Sequence, residues 1–569
     1  MKRRRRSIHK RKVVIAAILI LFAGCSAAES MMEGDEASGW NGEGAPGMDE
    51  DWGYADGDGE AEAGDSDWDF VPEEEEFLVQ QVASTESYVF VPNQAEDSDT
   101  VALIDGWDFS VRPIRVGRDP KTVVAADVEG HGSVGYVLST GVSTVAVVRA
   151  DLVDAENRVD VRLLPVPQEV NQLAISPDGR HVLAYIDPNE PINASASAAS
   201  LQTMALVRLG DGPGQDEVYH LSVTRLIEAI AFTEDSKQAF VVGREGINRL
   251  PLEDIKADAF LPTIDLGLSS SVFSPVDQEV VFSSDGSFLV ARTSQYAGVG
   301  LFELDPTDPN VTSHRVIELS GIPTDLDLVE REGEPALVVA TIRSESQVAL
   351  FEVDEALNAE EEDLSFLRFL DATGADAGIG RLTPDESQMV VFSTLPTQPA
   401  LGLVDLETES MSTLEMRNQI RNLAISPDSR TAVAVHRRQP GPAPTAEWED
   451  RFRHSEGLTL WDLRTGYLRP VVLEADPEEI LMITGPDGGA YLYVMLVSPN
   501  EAYQGVMRID LQTHRSDFLR LPRRPMQLGV VAGRVFISQE DATGRITFLD
   551  VETNEQRTVS GYELNAGIR

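Results

Sequence analysis

The 569-residue chain contains a single cysteine, Cys25, and no Lys or Arg between Lys12 and Arg112. A lone cysteine excludes an intrachain disulfide, so the fold must stand on its core. The eight histidines are scattered, with no His-x-x-x-His pair. With only one thiol, a zinc site built by local spacing is excluded as well. Basic residues are scarce: 46 Lys and Arg stand against 95 Asp and Glu, for a formal charge of −49. Phosphate recognition needs clustered Lys and Arg, so nucleic acid is excluded as a partner, and basic partners or divalent cations fit better. The same single-sign charge also serves solubility. Long apolar runs are missing too. The N-terminal run, residues 13–22, is about half the length a membrane-spanning helix needs. No Gly-x-Ser-x-Gly elbow and no phosphate-cradling glycine loop occurs. Carboxylates are too numerous for a catalytic pair to be singled out, so no catalytic, cofactor-binding or metal-binding residue is assigned.

What is present begins at the N-terminus. Lys2, Arg3, Arg4, Arg5, Arg6, Lys10, Arg11 and Lys12 precede the apolar run, and Ala23-Gly24-Cys25 closes it. A basic flank, a short apolar stretch and small residues before a cleavage point make an export signal. Leu21-Phe22-Ala23-Gly24-Cys25 resembles the end of a bacterial lipoprotein signal, with Phe22 where that family usually has Leu. The resemblance implies that residues 1–24 are a signal peptide, cut before Cys25. It also implies that the Cys25 sulfur carries diacylglycerol, usually with a third acyl chain such as palmitate on the new amine. One acyl chain binds a bilayer marginally, whereas two or three hold stably. Ser26, rather than Asp, follows the cysteine, which by the same resemblance implies the outer membrane, facing the periplasm or the surface. Cleavage removes eight basic residues and no acidic one, taking the charge from −49 to −57.

Residues 25–76 read as a lipidated cysteine and an acidic tether. Ser26 to Glu76 holds 19 Asp and Glu and no basic residue. It lacks the periodic apolar pattern that would offset ordering entropy, which predicts disorder. A flexible coil of that length spans roughly 40 Å, and more when like charges extend it. Trp40, Trp52 and Trp68 lie in it, as in Asp67-Trp68-Asp69-Phe70. They read either as incidental to a spacer or as an acidic-aromatic segment that binds a partner's basic groove. Asp56-Gly57-Asp58-Gly59-Glu60 has calcium-loop residues but lacks the glycine and the final Glu of an EF-hand loop. Weak calcium association fits these residues, no motif supports a dedicated site, and no cofactor is assigned.

From residue 77 to 569 the chain repeats. One turn recurs around Asp178, Asp235, Asp285, Asp385, Asp428 and Asp487, as in Ile175-Ser176-Pro177-Asp178-Gly179, at steps of 57, 50, 100, 43 and 59 residues. The step of 100 holds two units, with a degenerate turn near Glu330-Arg331-Glu332-Gly333. Proline presets φ at the second turn position, and Asp bonds its own backbone. Apolar strands flank each turn, so each is a hairpin. A second marker is an apolar strand ending in Asp: Asp305, Asp405, Asp462, Asp510 and Asp550. A short fourth strand follows. Four antiparallel strands per unit of about 50 residues make one propeller blade. Units begin near residues 77, 118, 169, 226, 268, 322, 377, 419, 477 and 524. The expected fold is all-β, a β-propeller of about ten blades behind the tether. Ring size stays open between one large ring and two in tandem. An insertion at 437–456 is expected to project as a loop.

These Ser-Pro-Asp-Gly hairpins resemble the repeats of TolB-like, YVTN and WD-repeat propellers, and Trp461-Asp462 sits where the WD dipeptide falls. The fuller Gly-His…Trp-Asp pattern is absent. The resemblance implies architecture, since the turn residues are structural, and it extends to no catalytic residue of the lactonase-like or quinoprotein propellers. Fold alone does not assign a reaction. The sequence therefore points to an envelope lipoprotein whose propeller binds a protein or ligand. The alternatives are a propeller enzyme, with three or more polar groups at the channel mouth, and a surface-exposed adhesive protein.

Overall fold

A strand covered on both faces must be apolar at nearly every position, and one at a rim need be apolar only on alternate residues. Both kinds recur here in fixed order. The second strands, such as Gly132–Ser139 and Ala490–Val497, are buried almost throughout, whereas fourth strands such as Ser410–Glu415 and Gln556–Ser560 are mostly exposed. The computed structural model describes residues 18–21 and 82–562, apart from 94–97, 155–157, 188–201, 244–245, 257–260, 262, 265–277, 306–310, 361, 376, 396–398, 442–444, 487, 499–502 and 542–543.

The strands form ten antiparallel sheets, each built from four consecutive strands. Blades 1 to 10 span 83–115, 120–165, 172–223, 227–264, 278–318, 325–371, 379–415, 420–472, 476–520 and 525–560. First strands of neighbouring blades meet at the centre, as Asp325–Val329 meets Ile379–Leu382. The sheets are therefore arranged radially, as in a β-propeller. Each seam between blades is filled by its own apolar cluster; blades 5 and 6, for example, share Val290, Leu301, Leu326, Val338 and Phe351. Blade 10 closes on blade 1 through Val531, Phe536 and Phe548 against Val89, Ala102 and Ile104. Gln527 locks that closure, accepting Val82 N–H at 2.7 Å and donating to Val82 C=O at 2.9 Å. One closed ring of ten blades thus replaces the open choice between one ring and two.

The recurring turns work as their residues suggest. Asp178 accepts Ser176 Oγ–H at 2.5 Å and Arg180 N–H at 2.9 Å, and Asp235, Asp285, Asp385 and Asp428 repeat the arrangement. The next residue takes a positive φ: 70° at Gly179, 56° at Ser236 and 57° at Ser429. Serine tolerates this conformation less well than glycine. Its hydroxyl, however, accepts the turn N–H of the preceding blade, Asp178 to Ser236 and Asp385 to Ser429, each at 3.0 Å. The degenerate turn lies where expected, between Asp325–Val329 and Leu337–Ile342. Asp405, Asp462, Asp510 and Asp550 cap the turns before the fourth strands, each accepting two backbone N–H groups.

Two segments depart from expectation. The insertion at 437–456 does not simply project. It carries the short helix α1 (Trp448–Arg453), whose Phe452 is buried against His436 while the Phe452 C=O accepts from Asn418 Nδ2 at 2.9 Å. Part of the apolar N-terminal run, Ile18–Leu21, lies as a fifth strand along the first strand of blade 9, with Ile18 opposite Met482 and Leu21 opposite Glu479. Inner strands have an open edge, and an apolar β-branched segment can pair with it. Cys25, the cleavage point, the tether with Trp40, Trp52 and Trp68, and Asp487 lie outside the described residues. No helix among the described residues is long and apolar enough to cross a membrane.

Candidate functional site

The first strands line the ring centre, and their residue types change along it. Away from the recurring turns they present charge: Glu228, Glu279, Asp325, Asp327, Arg381, Arg421, Asp476 and Glu478, all half-buried or exposed. Towards the turns they present Ala126, Ala174, Ile175, Ile230, Phe232, Leu328 and Leu382. The first strands therefore carry more charge away from the turns than beside them.

Blades 5 to 7 concentrate the charge. Glu279 stands on Gln278–Phe282, Asp325 and Asp327 on Asp325–Val329, and Gly380 on Ile379–Leu382. Strand alternation puts Asp325 and Asp327 on one face. Gly380 N–H donates to Asp325 Oδ2 at 2.5 Å. A Cβ at Gly380 would lie 2.6 Å from Asp327 Oδ2 and 3.2 Å from Asp325 Oδ2, and would collide with Met389. Glycine is what lets both carboxyls lie against the next blade. Thr341 ties the same seam together, its hydroxyl donating to Gly378 C=O at 3.1 Å.

Cations are fewer than carboxyls here. Arg292 binds Glu279 through Nε and donates to Pro323 C=O at 3.3 Å. Neither aspartate has an ion-pair partner among the described residues, and Asp327 Oδ2 is shut off from solvent with no hydrogen-bond partner. Burial, then repulsion from Glu279 and Asp327, raises Asp325 well above the usual carboxylate range. Burial, then Glu279, pushes Asp327 up to about 7. Asp325 and Asp327 share protons and titrate as a pair. The arrangement suits an ammonium, a guanidinium or a proton. No group of His, Cys, Asp and Glu with metal-holding geometry occurs among the described residues.

Asp178, Asp235, Asp285, Asp385 and Asp428 all lie in turns, away from this mouth. Hydrogen bonds from His181, Ser176 and Arg180 outweigh burial at Asp178 and take it down to about 2. His436 is wholly buried beside Thr459, and burial takes it down to about 4. Sequence reasoning did not single out Glu279, Asp325 or Asp327. The available signal was Asp325-Leu326-Asp327, two acids alternating on an inner strand where blade 3 has Gln172-Leu173-Ala174.

No family model matches the chain, and no curated protein matches it. Among solved structures, the chain is similar to the Dos1 propeller, at 10% identity over 62% of this chain and 88% of that one, with a TM-score of 0.34. It is also similar to a putative 6-phosphogluconolactonase from Bacteroides uniformis, at 15% identity over 62% and 95% with a TM-score of 0.33. A third likeness is to the dihydro-heme d1 dehydrogenase NirN, at 16% identity over 71% and 76% with a TM-score of 0.37. Likenesses this distant concern fold, and the propeller rests on the ring of sheets itself.

Proposed function

We propose that this chain is a lipid-anchored protein of a bacterial cell envelope whose propeller is a binding scaffold, with the polar channel mouth as receptor for a cationic group of its partner. One observation carries the reading: Asp325 and Asp327 stand together beside Glu279 at the mouth, and Asp327 Oδ2 has no hydrogen-bond partner among the described residues. A lysine or arginine side chain entering there would offset the charge of these carboxyls. The net charge of −49 would draw such a partner in. The anchor is read from Cys25 and its flanks alone.

The test has two halves. Metabolic lipid labelling of wild type beside Cys25→Ala checks the anchor: wild type takes label and the variant does not. Cross-linking in solubilised envelope then compares wild type with Asp325→Asn/Asp327→Asn. A cross-linked partner present in wild type and lost from the double variant supports the scaffold. Partners recovered equally from both contradict it.

A second reading is favoured by the state of Asp327. A carboxyl raised to about 7 is suited to proton transfer at neutral pH, and three polar groups at a channel mouth are what a propeller enzyme requires. Under this reading Asp327 is the general base. Turnover of a lactone or other hydrolysable ester that Asp327→Asn abolishes would favour the enzyme over the scaffold.

A further inference from the structure

Away from the channel, a cleft of about 430 Å³ opens between the fourth strands of blades 2 and 3, Val159–Pro165 and Glu217–Val223. Its volume is within the roughly 300–1,000 Å³ typical of ligand clefts. Alternation turns Arg162 and Leu164 toward blade 3. Leu164 is buried in the seam, and Val218 packs on it from the other wall. His220 Nε2 lies 3.3 Å from Pro165 C=O and ties the two walls together.

The charges in and around the cleft are unevenly matched. Asp216, fully buried, is held by both terminal nitrogens of the buried Arg149, at 3.0 Å through Nη1, and by Gly210 N–H at 2.9 Å. Asp160 also goes to Arg149, at 3.2 Å. Glu217 is held by Arg208 and by Tyr219 Oη–H at 2.6 Å. These carboxylates are therefore satisfied by Arg149 and Arg208. Arg162 is not satisfied: its Nη1 is shut off from solvent with no hydrogen-bond partner among the described residues. A shielded guanidinium donor left unmade costs free energy, and a carboxylate is the group whose geometry matches it.

We propose that this cleft is a second binding site, one that receives a carboxylate carried beside an apolar side chain on an extended acidic peptide of a partner. The Arg162 guanidinium turns its shielded edge into the cleft to pair with the carboxylate, and the apolar neighbour lies on Leu164 and Val218. In a chain of charge −49, an anion is accepted here because the local carboxylates are already hydrogen-bonded to Arg149 and Arg208 and a guanidinium donor of Arg162 is not. The site is chemically opposite to the channel mouth and independent of it.

The experiment uses the detergent-solubilised full chain and a labelled synthetic peptide of residues 64–76, whose Asp67-Trp68-Asp69-Phe70 supplies that chemistry. Fluorescence anisotropy should show saturable binding that weakens with salt. Arg162→Ala should weaken it at least ~10-fold, a charged hydrogen bond's share, and Arg162→Lys should restore part. Arg115→Ala, at an exposed arginine of blade 1, should leave binding unchanged. A peptide with Asn and Gln for Asp and Glu should not bind. Hydrogen exchange should slow at 162–166 when the acidic peptide is added. Equal binding by Arg162→Ala and wild type, protection elsewhere on the ring, or no saturable binding overturns the proposal. Unchanged melting of both Arg162 variants separates loss of the site from loss of the fold.

Discussion

Blades 6 and 9 each bury an acid on the innermost strand, and they differ in what surrounds it. Glu479 of blade 9 is fully buried, accepts Leu528 N–H of blade 10 at 2.7 Å, and is raised well above its ordinary value by burial first. It acts as a peg between two inner strands. Asp325 makes the same kind of bond to blade 7, but Asp327 stands two residues on and Glu279 comes in from blade 5. Glu479 has one like-charged neighbour, Glu478, which Arg524 binds at 2.9 Å, and it can be accommodated as a protonated or singly charged peg. Three at one seam leave charge for something else to neutralise. The two blades therefore separate a structural carboxyl from a candidate functional one by the number of like-charged neighbours, which burial alone does not reveal.

The comparison can be broken in graded ways. The largest effect should come from a peg that carries no charge. Gln527→Ala strips Val82 of both side-chain partners at the ring closure and should cost about 2–4 kcal/mol in denaturant unfolding. Next comes Asp327→Asn. Because the folded-state pKa of Asp327 is raised from 3.8 to about 7, the folded protein binds more protons than the unfolded chain in that window. Stability therefore falls as pH rises from about 4 to 7, and the penalty is complete above it. Removing the charge should stabilise the protein at pH 8 by on the order of 1–3 kcal/mol and leave pH 4 nearly unchanged. Glu479→Gln should stabilise in the same direction at high pH, yet leave binding at the channel mouth intact, which Asp327→Asn should not. A smaller effect is expected from Glu279→Gln, which removes one repelling charge and should lower the carboxyl titration of Asp327 measured by NMR. The smallest is Ser429→Ala. It loses the bond from Asp385 N–H and should cost about 0.5–1.5 kcal/mol by melting.

The blades could be read from the sequence because their signals are local. Ser176 and Asp178 lie two residues apart, and so do Ser426 and Asp428, so a turn is visible within one window. The markers even located the blade whose turn had degenerated at Glu330-Arg331-Glu332-Gly333. Closure could not be read, because Gln527 and Val82 meet across 445 positions. Nor could the site. Glu279, Asp325 and Gly380 come from three blades, and their acids are drowned among 95 Asp and Glu. The cleft at Arg162 was hidden for another reason. What distinguishes Arg162 from Arg149 and Arg208 is the partner it lacks, and sequence carries no record of pairing.

The decisive comparison is the binding of a lysine-rich peptide to wild type and to Asp327→Asn across pH 5 to 8.5, followed by calorimetry. If the channel mouth is a receptor for cationic groups, wild-type affinity rises through about pH 7 as the carboxyls ionise, with proton release on binding, and the variant binds at least ~10-fold more weakly at high pH. Affinity that is flat with pH, or equal in the two proteins, contradicts it.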